Sequence, residues 1–147
     1  MHRLRGRFVM AVPGLLLVAC TSVQVRPVAA GTKIDRICIQ MNRQVKVDDL
    51  VMVLRRHIDA HGIESRVFDG DVPSDCRYVL SYTALRSWDL SPYLSKAEFW
   101  LDRDGKGVAH AEYHLRGRGG LDLTKWKGTE AKVGPVIDRM LEGRASE

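Results

Sequence analysis

The pattern of hydrophobic and polar positions predicts a strand and then a helix in the first half of the chain. Residues 33–40 (KIDRICIQ) alternate apolar with polar side chains and are rich in β-branched residues, which is typical of a half-buried strand. The next segment predicts a helix, because inward-facing residues recur at helical spacing: Leu50, Val51, Leu54, Ile58 and His61. Asp48 is expected to cap this helix, and Gly62 suits its left-handed stop.

Residues 63–68 predict a short strand, so strand, helix and strand follow one another within about 35 residues. This order favours a parallel pair with a right-handed crossover. After a turn-rich segment (DGDVPSDC), we expect three more strands, over residues 78–85, 96–102 and 108–116. The segment RSWDLSPYLS between the first two is expected to be a loop that exposes large side chains.

The pair Asp104-Gly105 predicts a hairpin turn between the last two strands. A plain two-residue turn would pair Phe99 with His110, and apolar and polar side chains would then share the same face of the sheet. A three-residue loop with Gly105 at a bulge instead pairs Phe99 with Ala109, Ala97 with Ala111, Lys96 with Glu112 and Glu98 with His110. We predict the second register because it separates the faces and opposes unlike charges.

A second helix is predicted over residues 129–142, where apolar residues recur at helical spacing: Val133, Val136, Ile137, Met140 and Leu141. Pro135 requires that this helix begin close to it or be kinked there. The predicted fold class is α/β (α+β). It is a two-layer sandwich with a mixed, mostly antiparallel sheet of about five strands and two helices on one face.

The N-terminus predicts export. A basic head precedes an apolar run of about twelve residues, which falls short of the roughly 20 needed to span a bilayer. The ending Leu17-Val18-Ala19-Cys20 resembles the bacterial lipobox, which implies cleavage before Cys20 and acylation of its thiol. The alternative is an ordinary signal peptide with a free or buried cysteine. Thr21 stands where an Asp would favour the inner membrane, so the resemblance points to the periplasmic face of the outer membrane.

The chain therefore divides into a signal peptide (1–19), a lipidated tether (20–32) and one envelope domain (33–147). The tether is expected because residues 21–32 hold a Pro, a Gly and no sustained periodicity. Removing the signal lowers the formal charge from +5 to +2, so basicity does not indicate nucleic acid as a partner. The membrane, through Cys20, is the expected partner.

Two cysteines remain once Cys20 carries lipid. In an oxidising compartment Cys38 and Cys76 are predicted to form a disulfide, the alternative being two buried free thiols.

The strand residues His110, Glu112 and His114 project from one face and imitate a metal site. The two histidines lie about 13 Å apart along a strand, too far for one ion with nitrogens about 2.1 Å away. A pair such as His110 and Glu112 with Glu98 is the basis of an alternative hypothesis, a metal-dependent or hydrolytic enzyme. Cross-strand pairing on a solvated face explains these residues equally well.

His57 and His61 have ligand spacing on a helix but lack an evident third ligand, which favours ordinary helix-end histidines. Neither a nucleophile elbow nor a phosphate loop is present. We therefore expect no enzyme activity, no catalytic residue, no metal and no cofactor.

The second half of the chain is rich in residue types that dominate binding surfaces. The candidates for partner binding are Arg86, Trp88, Tyr93, Arg116 and Arg118. The alternative is that most of the tryptophans pack in the core or under loops.

The runs YTALRSWDLSPYLSKAE, AEYHLRGRGG and PVIDRML resemble a family of small proteobacterial lipoproteins of unassigned function. The likeness extends from about Ile37 to Leu141 and includes the lipobox cysteine. It implies lipoprotein status and no activity. The expectation is thus a binding or assembly module of the cell envelope, which holds an envelope protein or glycan partner.

Overall fold

The computed structural model describes residues 21–116 and 123–145. A six-stranded mixed sheet with strand order β1-β6-β5-β4-β2-β3 carries two helices, which confirms the predicted fold class with one strand more than expected. The strands are β1 (Thr21–Arg26), β2 (Arg36–Gln40), β3 (Glu64–Phe68), β4 (Tyr78–Asp89), β5 (Ser91–Arg103) and β6 (Lys106–Leu115). The helices are α1 (Leu50–Ala60), α2 (Thr129–Met140) and a short 3₁₀ helix (Leu123–Trp126).

The additional strand is β1, which lies in the segment predicted to be a tether. It pairs antiparallel with β6 at the edge of the sheet, with Val23 opposite Tyr113 and Val25 opposite Ala111. Both valines pack against the core. The prediction of a tether was wrong for Thr21–Arg26. Two alternating valines are too few to predict a strand from the sequence, and this segment becomes a strand by pairing with β6. Cys20 lies outside the described residues.

The first half of the domain follows the predicted parallel arrangement. β2 and β3 pair in parallel with α1 between them in sequence, and β2 also pairs in parallel with β4. Gly62 ends the helix at a φ of +73°, as predicted. The N-cap position, however, belongs to Asp49 and not to Asp48, and the Asp49 carboxylate accepts a hydrogen bond from Thr129 at 2.7 Å.

The core lies between one face of the sheet and the two helices. It is centred on fully buried side chains of the sheet and both helices, among them Ile37, Ile39, Leu80, Phe99, Leu54, Ile58 and Ile137. The opposite face carries the predicted disulfide between Cys38 and Cys76, which packs with Phe68 and Val79 in a second, small cluster. The disulfide therefore lies on the face of the sheet that the helices do not cover.

The β5–β6 hairpin has the predicted turn residues but a different register. Asp104 and Gly105 have φ values of +50° and +76° and form a two-residue turn. A bulge next to Leu101 then shifts the strands, so that Phe99 lies opposite Ala111 and Glu98 opposite Glu112. The predicted three-residue loop was wrong, because the turn has two residues and the bulge lies farther from it, and the predicted pairing of Phe99 with Ala109 was wrong by two residues. Because side chains alternate with a period of two, this error leaves every side chain on its predicted face.

The segment predicted as the loop RSWDLSPYLS is the end of a long hairpin. β4 continues to Asp89 and β5 begins at Ser91, and the two remain paired around Leu90. A register shift beside Leu85 marks the start of this distal part. The α2 helix begins at Thr129, as predicted, and continues through Pro135.

Candidate functional site

The strongest candidate site is the end of the β4–β5 hairpin, residues 86–94, together with the 3₁₀ helix attached to it; we call this region the hairpin tip. Trp88 and Leu90 are 73% and 84% exposed, and Leu123 on the 3₁₀ helix is 76% exposed. The Trp126 indole N–H donates to the Asp89 carbonyl at 3.2 Å, which fastens the 3₁₀ helix to the hairpin. Large apolar side chains are thus presented to solvent on a paired, supported element.

The structure separates the residues predicted to bind a partner. Arg86 and Trp88 lie exposed on the hairpin tip, where Arg86 donates to the Lys46 carbonyl at 3.0 Å. Tyr93 is buried in the core, so its prediction as a surface residue was wrong: on the inward-facing side of the strand, its ring packs over α2. Arg116 is exposed at the end of β6 and donates to Ser22 at 3.4 Å. Arg118 lies outside the described residues.

A buried lysine of α2 holds the hairpin tip in place. The Lys132 ammonium donates to the backbone carbonyls of Leu94, at 3.0 Å, and of Lys125. Its charge also lies 5.6 Å from the centre of the Tyr93 ring. Burial lowers the pKa of Lys132. One side chain therefore ties β5 and the 3₁₀ helix to α2, a link that the sequence pattern did not reveal.

Asp89 at the turn of the hairpin is paired. The Lys125 ammonium lies 2.5 Å from its carboxylate and 4.4 Å from the centre of the Trp126 ring. Lys125 itself is buried, and its charge balances that of the acidic side chain at the turn.

The open face of the sheet carries the residues considered for metal binding. His110, Glu112 and His114 alternate with buried residues on β6, as predicted, and Glu98 lies directly opposite Glu112. The Lys96 ammonium sits 2.5 Å from Glu98 and 3.6 Å from Glu112. Its hydrogen bond to Glu98 raises the pKa of Lys96. A protein cation thus occupies the space between the carboxylates.

Among residues 21–116 and 123–145, the structure gathers no group of three or more histidine, cysteine or acidic side chains with the geometry to hold a metal ion. On the same open face, the rings of Trp100 and His110 pack across the strands with their centres 5.6 Å apart. The face is a cross-strand network of charged and aromatic side chains.

Between the two helices, His57 lies in a polar cluster that joins them. Its Nδ1 is 2.9 Å from Asp138 and its Nε2 is 2.8 Å from Glu130. His61 also contacts Asp138, at 3.0 Å. Burial lowers the pKa of His57, but its hydrogen bonds to the two carboxylates outweigh that effect and raise the pKa above 6.5. A neutral imidazole has a single N–H, so two carboxylate contacts require the doubly protonated ring.

Gly134 makes this arrangement possible. A Cβ at this position would overlap the His57 ring, with Cε1 of the imidazole 2.5 Å away, so the ring rests on the bare backbone of α2. A glycine inside a helix is the sequence signal that could have revealed the contact, because glycine there costs about 1 kcal/mol relative to alanine.

An apolar groove lies on the far side of α1, beside the edge strand β3. Met41, Val51, Met52 and Val67 line a cavity of about 630 Å³, together with the charged residues Arg55, Arg56 and Asp59. Met52 is 56% exposed there. None of the helices in the described part of the chain is long and apolar enough to span a bilayer.

Comparison with known proteins shows which solved structures have a similar fold. No protein-family model and no curated protein matches the sequence. Two solved structures of PelC from Paraburkholderia phytofirmans are similar in fold, both described as dodecamers. One, a variant with a single substitution, is 18% identical and covers 80% of this chain and 97% of its own, with a TM-score of 0.52. The other is 15% identical and covers 84% and 98%, with a TM-score of 0.55. The chain therefore shares its fold with PelC.

Proposed function

We propose that this chain is a lipoprotein of the bacterial cell envelope, anchored through Cys20 to the periplasmic face of the outer membrane. We further propose that it acts there without catalysis, as an assembly module that associates with copies of itself. The observation that carries the second part is an open sheet whose two edges differ. One edge is β1, and the other is β3 with the apolar groove beside it.

Different edges favour a directional assembly. Within the described residues, β1 and β3 each pair on one side alone, and an edge strand presents backbone donors and acceptors to a neighbour. An interface between unlike surfaces builds a ring or a filament instead of closing after two subunits. The dodecameric state described for both PelC structures supports a ring, given the shared fold. The apolar groove would supply the buried area of such an interface.

The lipid anchor is supported by the sequence and by the disulfide. The basic head, the short apolar run and the lipobox-like Leu17-Val18-Ala19-Cys20 are typical of an exported lipoprotein. The Cys38–Cys76 disulfide suits an oxidising compartment. Two or more acyl chains give stable anchoring, whereas one chain is marginal.

The assembly is tested by measuring molar mass in solution with light scattering, for protein carrying Cys20→Ser to avoid lipid aggregation. We expect an oligomer, and we expect Met52→Glu to reduce its mass towards that of the monomer because the charge enters the apolar groove. Val72→Glu is the matched control, since Val72 is 52% exposed and does not line this groove. A monomeric parent protein, or equal masses for the two variants, would exclude the proposed interface.

The anchor is tested separately by fractionating cells that make the full-length chain. The unaltered protein is expected in outer-membrane fractions with labelled fatty acid attached. Cys20→Ser protein is expected to carry no label and to keep its signal segment, because cleavage at a lipobox follows acylation of the cysteine. Labelled fatty acid on Cys20→Ser protein, or its shortening to the size of the processed chain, would refute lipid anchoring at this residue.

A further inference from the structure

We propose that a cavity between the start of β2, the end of α1 and the segment after α2 binds the zwitterionic head of an α-amino acid. The ligand carboxylate would meet Arg144 and Lys33, and its ammonium would meet Asp35. Neither the proposed assembly nor the lipid anchor uses this cavity, so the site stands or falls independently of both.

The cavity is large enough for a small molecule. Its volume is about 810 Å³, within the range of about 300–1,000 Å³ that is typical of ligand sites. Its walls come from separate parts of the chain: residues 33–35, residues 60–63 and residues 144–145. The buried residues Ile34 and Ile63 line it beside charged side chains. A ligand with both charged groups and a hydrocarbon part suits such a mixed lining.

The segment after α2 holds the backbone of Arg144 in place. The Ala145 N–H donates to the Thr32 carbonyl at 2.8 Å, and Thr32 forms a parallel bridge with Arg144. On the preceding side, Gly143 lies so close to the chain that a Cβ there would overlap the Val28 carbonyl oxygen. The residue that we assign to the carboxylate is therefore positioned before any ligand arrives.

The guanidinium of Arg144 lacks an acceptor. Its Nε is buried and finds no hydrogen-bond partner within the part of the chain that the structure describes. A buried donor without an acceptor costs free energy. The Nε edge of a guanidinium is a two-pronged donor that matches a carboxylate, and its charge is permanent. Because Nε is covered in the free protein, the side chain must turn this edge towards the cavity to meet the ligand, and that movement removes the cost.

The other charges favour a zwitterion over a simple anion. Lys33 and Asp35 are exposed, line the same cavity, and form no side-chain pair with another described residue. Lys33 adds a second positive charge, whereas Asp35 repels a carboxylate and attracts an ammonium. The C-terminal end of α1 also lines the cavity, and the negative end of a helix dipole favours a positive group. His61 lies there too, but its ring is engaged with Asp138 at 3.0 Å.

The test is equilibrium dialysis of radiolabelled L-leucine against full-length processed protein in detergent. Two competitors each lack one charge: 4-methylpentanoate has no ammonium, and 3-methylbutylamine has no carboxylate. We expect saturable binding of leucine and displacement by each competitor about tenfold weaker than by unlabelled leucine, as for the loss of one charged hydrogen bond. The absence of saturable binding, or equal displacement by all three compounds, would overturn the proposal.

Substitutions assign the two charges of the ligand. Arg144→Gln is expected to weaken leucine binding by about tenfold. Arg139→Gln is the matched control, because Arg139 is exposed on the last turn of α2 and does not line the cavity. Asp35→Asn should weaken the binding of leucine and strengthen that of 4-methylpentanoate, a reversal that misfolding cannot produce. Equal binding by the two arginine variants, or weaker binding of both ligands to Asp35→Asn protein, would show that the assignment is wrong.

Two sources could supply this chemistry in the proposed envelope location: free amino acids, and a cell-wall peptide whose diamino-acid side chain ends in a zwitterion. The tripeptide L-alanyl-γ-D-glutamyl-meso-diaminopimelate, added as a competitor, separates them. Displacement of leucine by the tripeptide at concentrations no higher than those of unlabelled leucine would support a cell-wall ligand. A tripeptide that leaves leucine bound would support a free amino acid.

Discussion

The contact between Gly134 and His57 predicts that Gly134→Ala changes the stability of the domain in opposite directions with and without the imidazole ring. Alanine at a helical glycine normally stabilises a protein, by about 1 kcal/mol. Here the new Cβ would stand 2.5 Å from Cε1 of the His57 ring, so the imidazole must leave its place between Asp138 and Glu130. We therefore expect Gly134→Ala to destabilise the domain, against the rule for helices.

The magnitude follows from the hydrogen bonds that are lost. Each hydrogen bond to a charged group contributes about 1.5–3 kcal/mol to stability. Because the Glu130 and Asp138 side chains are 44% and 45% exposed, the two hydrogen bonds of His57 fall at the low end of this range, about 3 kcal/mol together. Subtracting the helix gain of about 1 kcal/mol leaves a net loss of about 2 kcal/mol in the free energy of unfolding. In a domain of this size, that lowers the thermal midpoint by about 8 °C.

The same substitution should have the opposite effect once the ring is gone. In a His57→Ala background nothing occupies the space above residue 134, so Gly134→Ala is expected to stabilise the protein by up to about 1 kcal/mol. The double-mutant cycle thus predicts a coupling energy of about 3 kcal/mol, at the upper end of values for residues in contact.

The assay is urea unfolding followed by far-ultraviolet circular dichroism at pH 6, with the disulfide intact, on the four proteins of the cycle. Equal m-values are required for the comparison of free energies. The reasoning is refuted if Gly134→Ala stabilises the unaltered protein, or if it shifts stability in the same direction in both backgrounds.

Three further outcomes are expected. The raised pKa of His57 contributes stability that is fully present below pH 6.5 and is lost as the pH rises through the folded-state value, so the stability gap between unaltered and His57→Gln protein in urea unfolding should shrink with rising pH; a gap that widens would contradict this. Replacing both Cys38 and Cys76 by serine opens a loop spanning 38 residues and should cost about 4 kcal/mol in the free energy of unfolding; a loss below about 1 kcal/mol would refute the chain-entropy reasoning. Lys132→Met leaves two buried carbonyls without their donor, so a loss of about 1–3 kcal/mol and faster amide exchange in residues 86–94 are expected; unchanged exchange would show that this lysine does not hold the hairpin tip.

The sequence alone determined the local elements of this protein. Both helices, the parallel β2–β3 pair and the Asp104-Gly105 turn follow from periodicity and from turn residues that lie close together in the chain. Outside the distal part of the β4–β5 hairpin, where Tyr93 was misplaced, the face that a strand residue presents also follows from the sequence, because side chains alternate along a strand whatever its partner. The disulfide could be predicted because, after Cys20 was assigned to lipid, two cysteines remained.

Tertiary structure decided what depends on partners distant in the chain. β1 became a strand because β6, some 90 residues later, offers it an edge, and a bulge beside Leu101 set the register of β6. The carboxylates around His57 stand 73 and 81 residues away, and the carbonyls that bind Lys132 belong to other elements. Periodicity cannot report such contacts, because they arise when separate elements pack and the free energy of burying a polar group selects its partner.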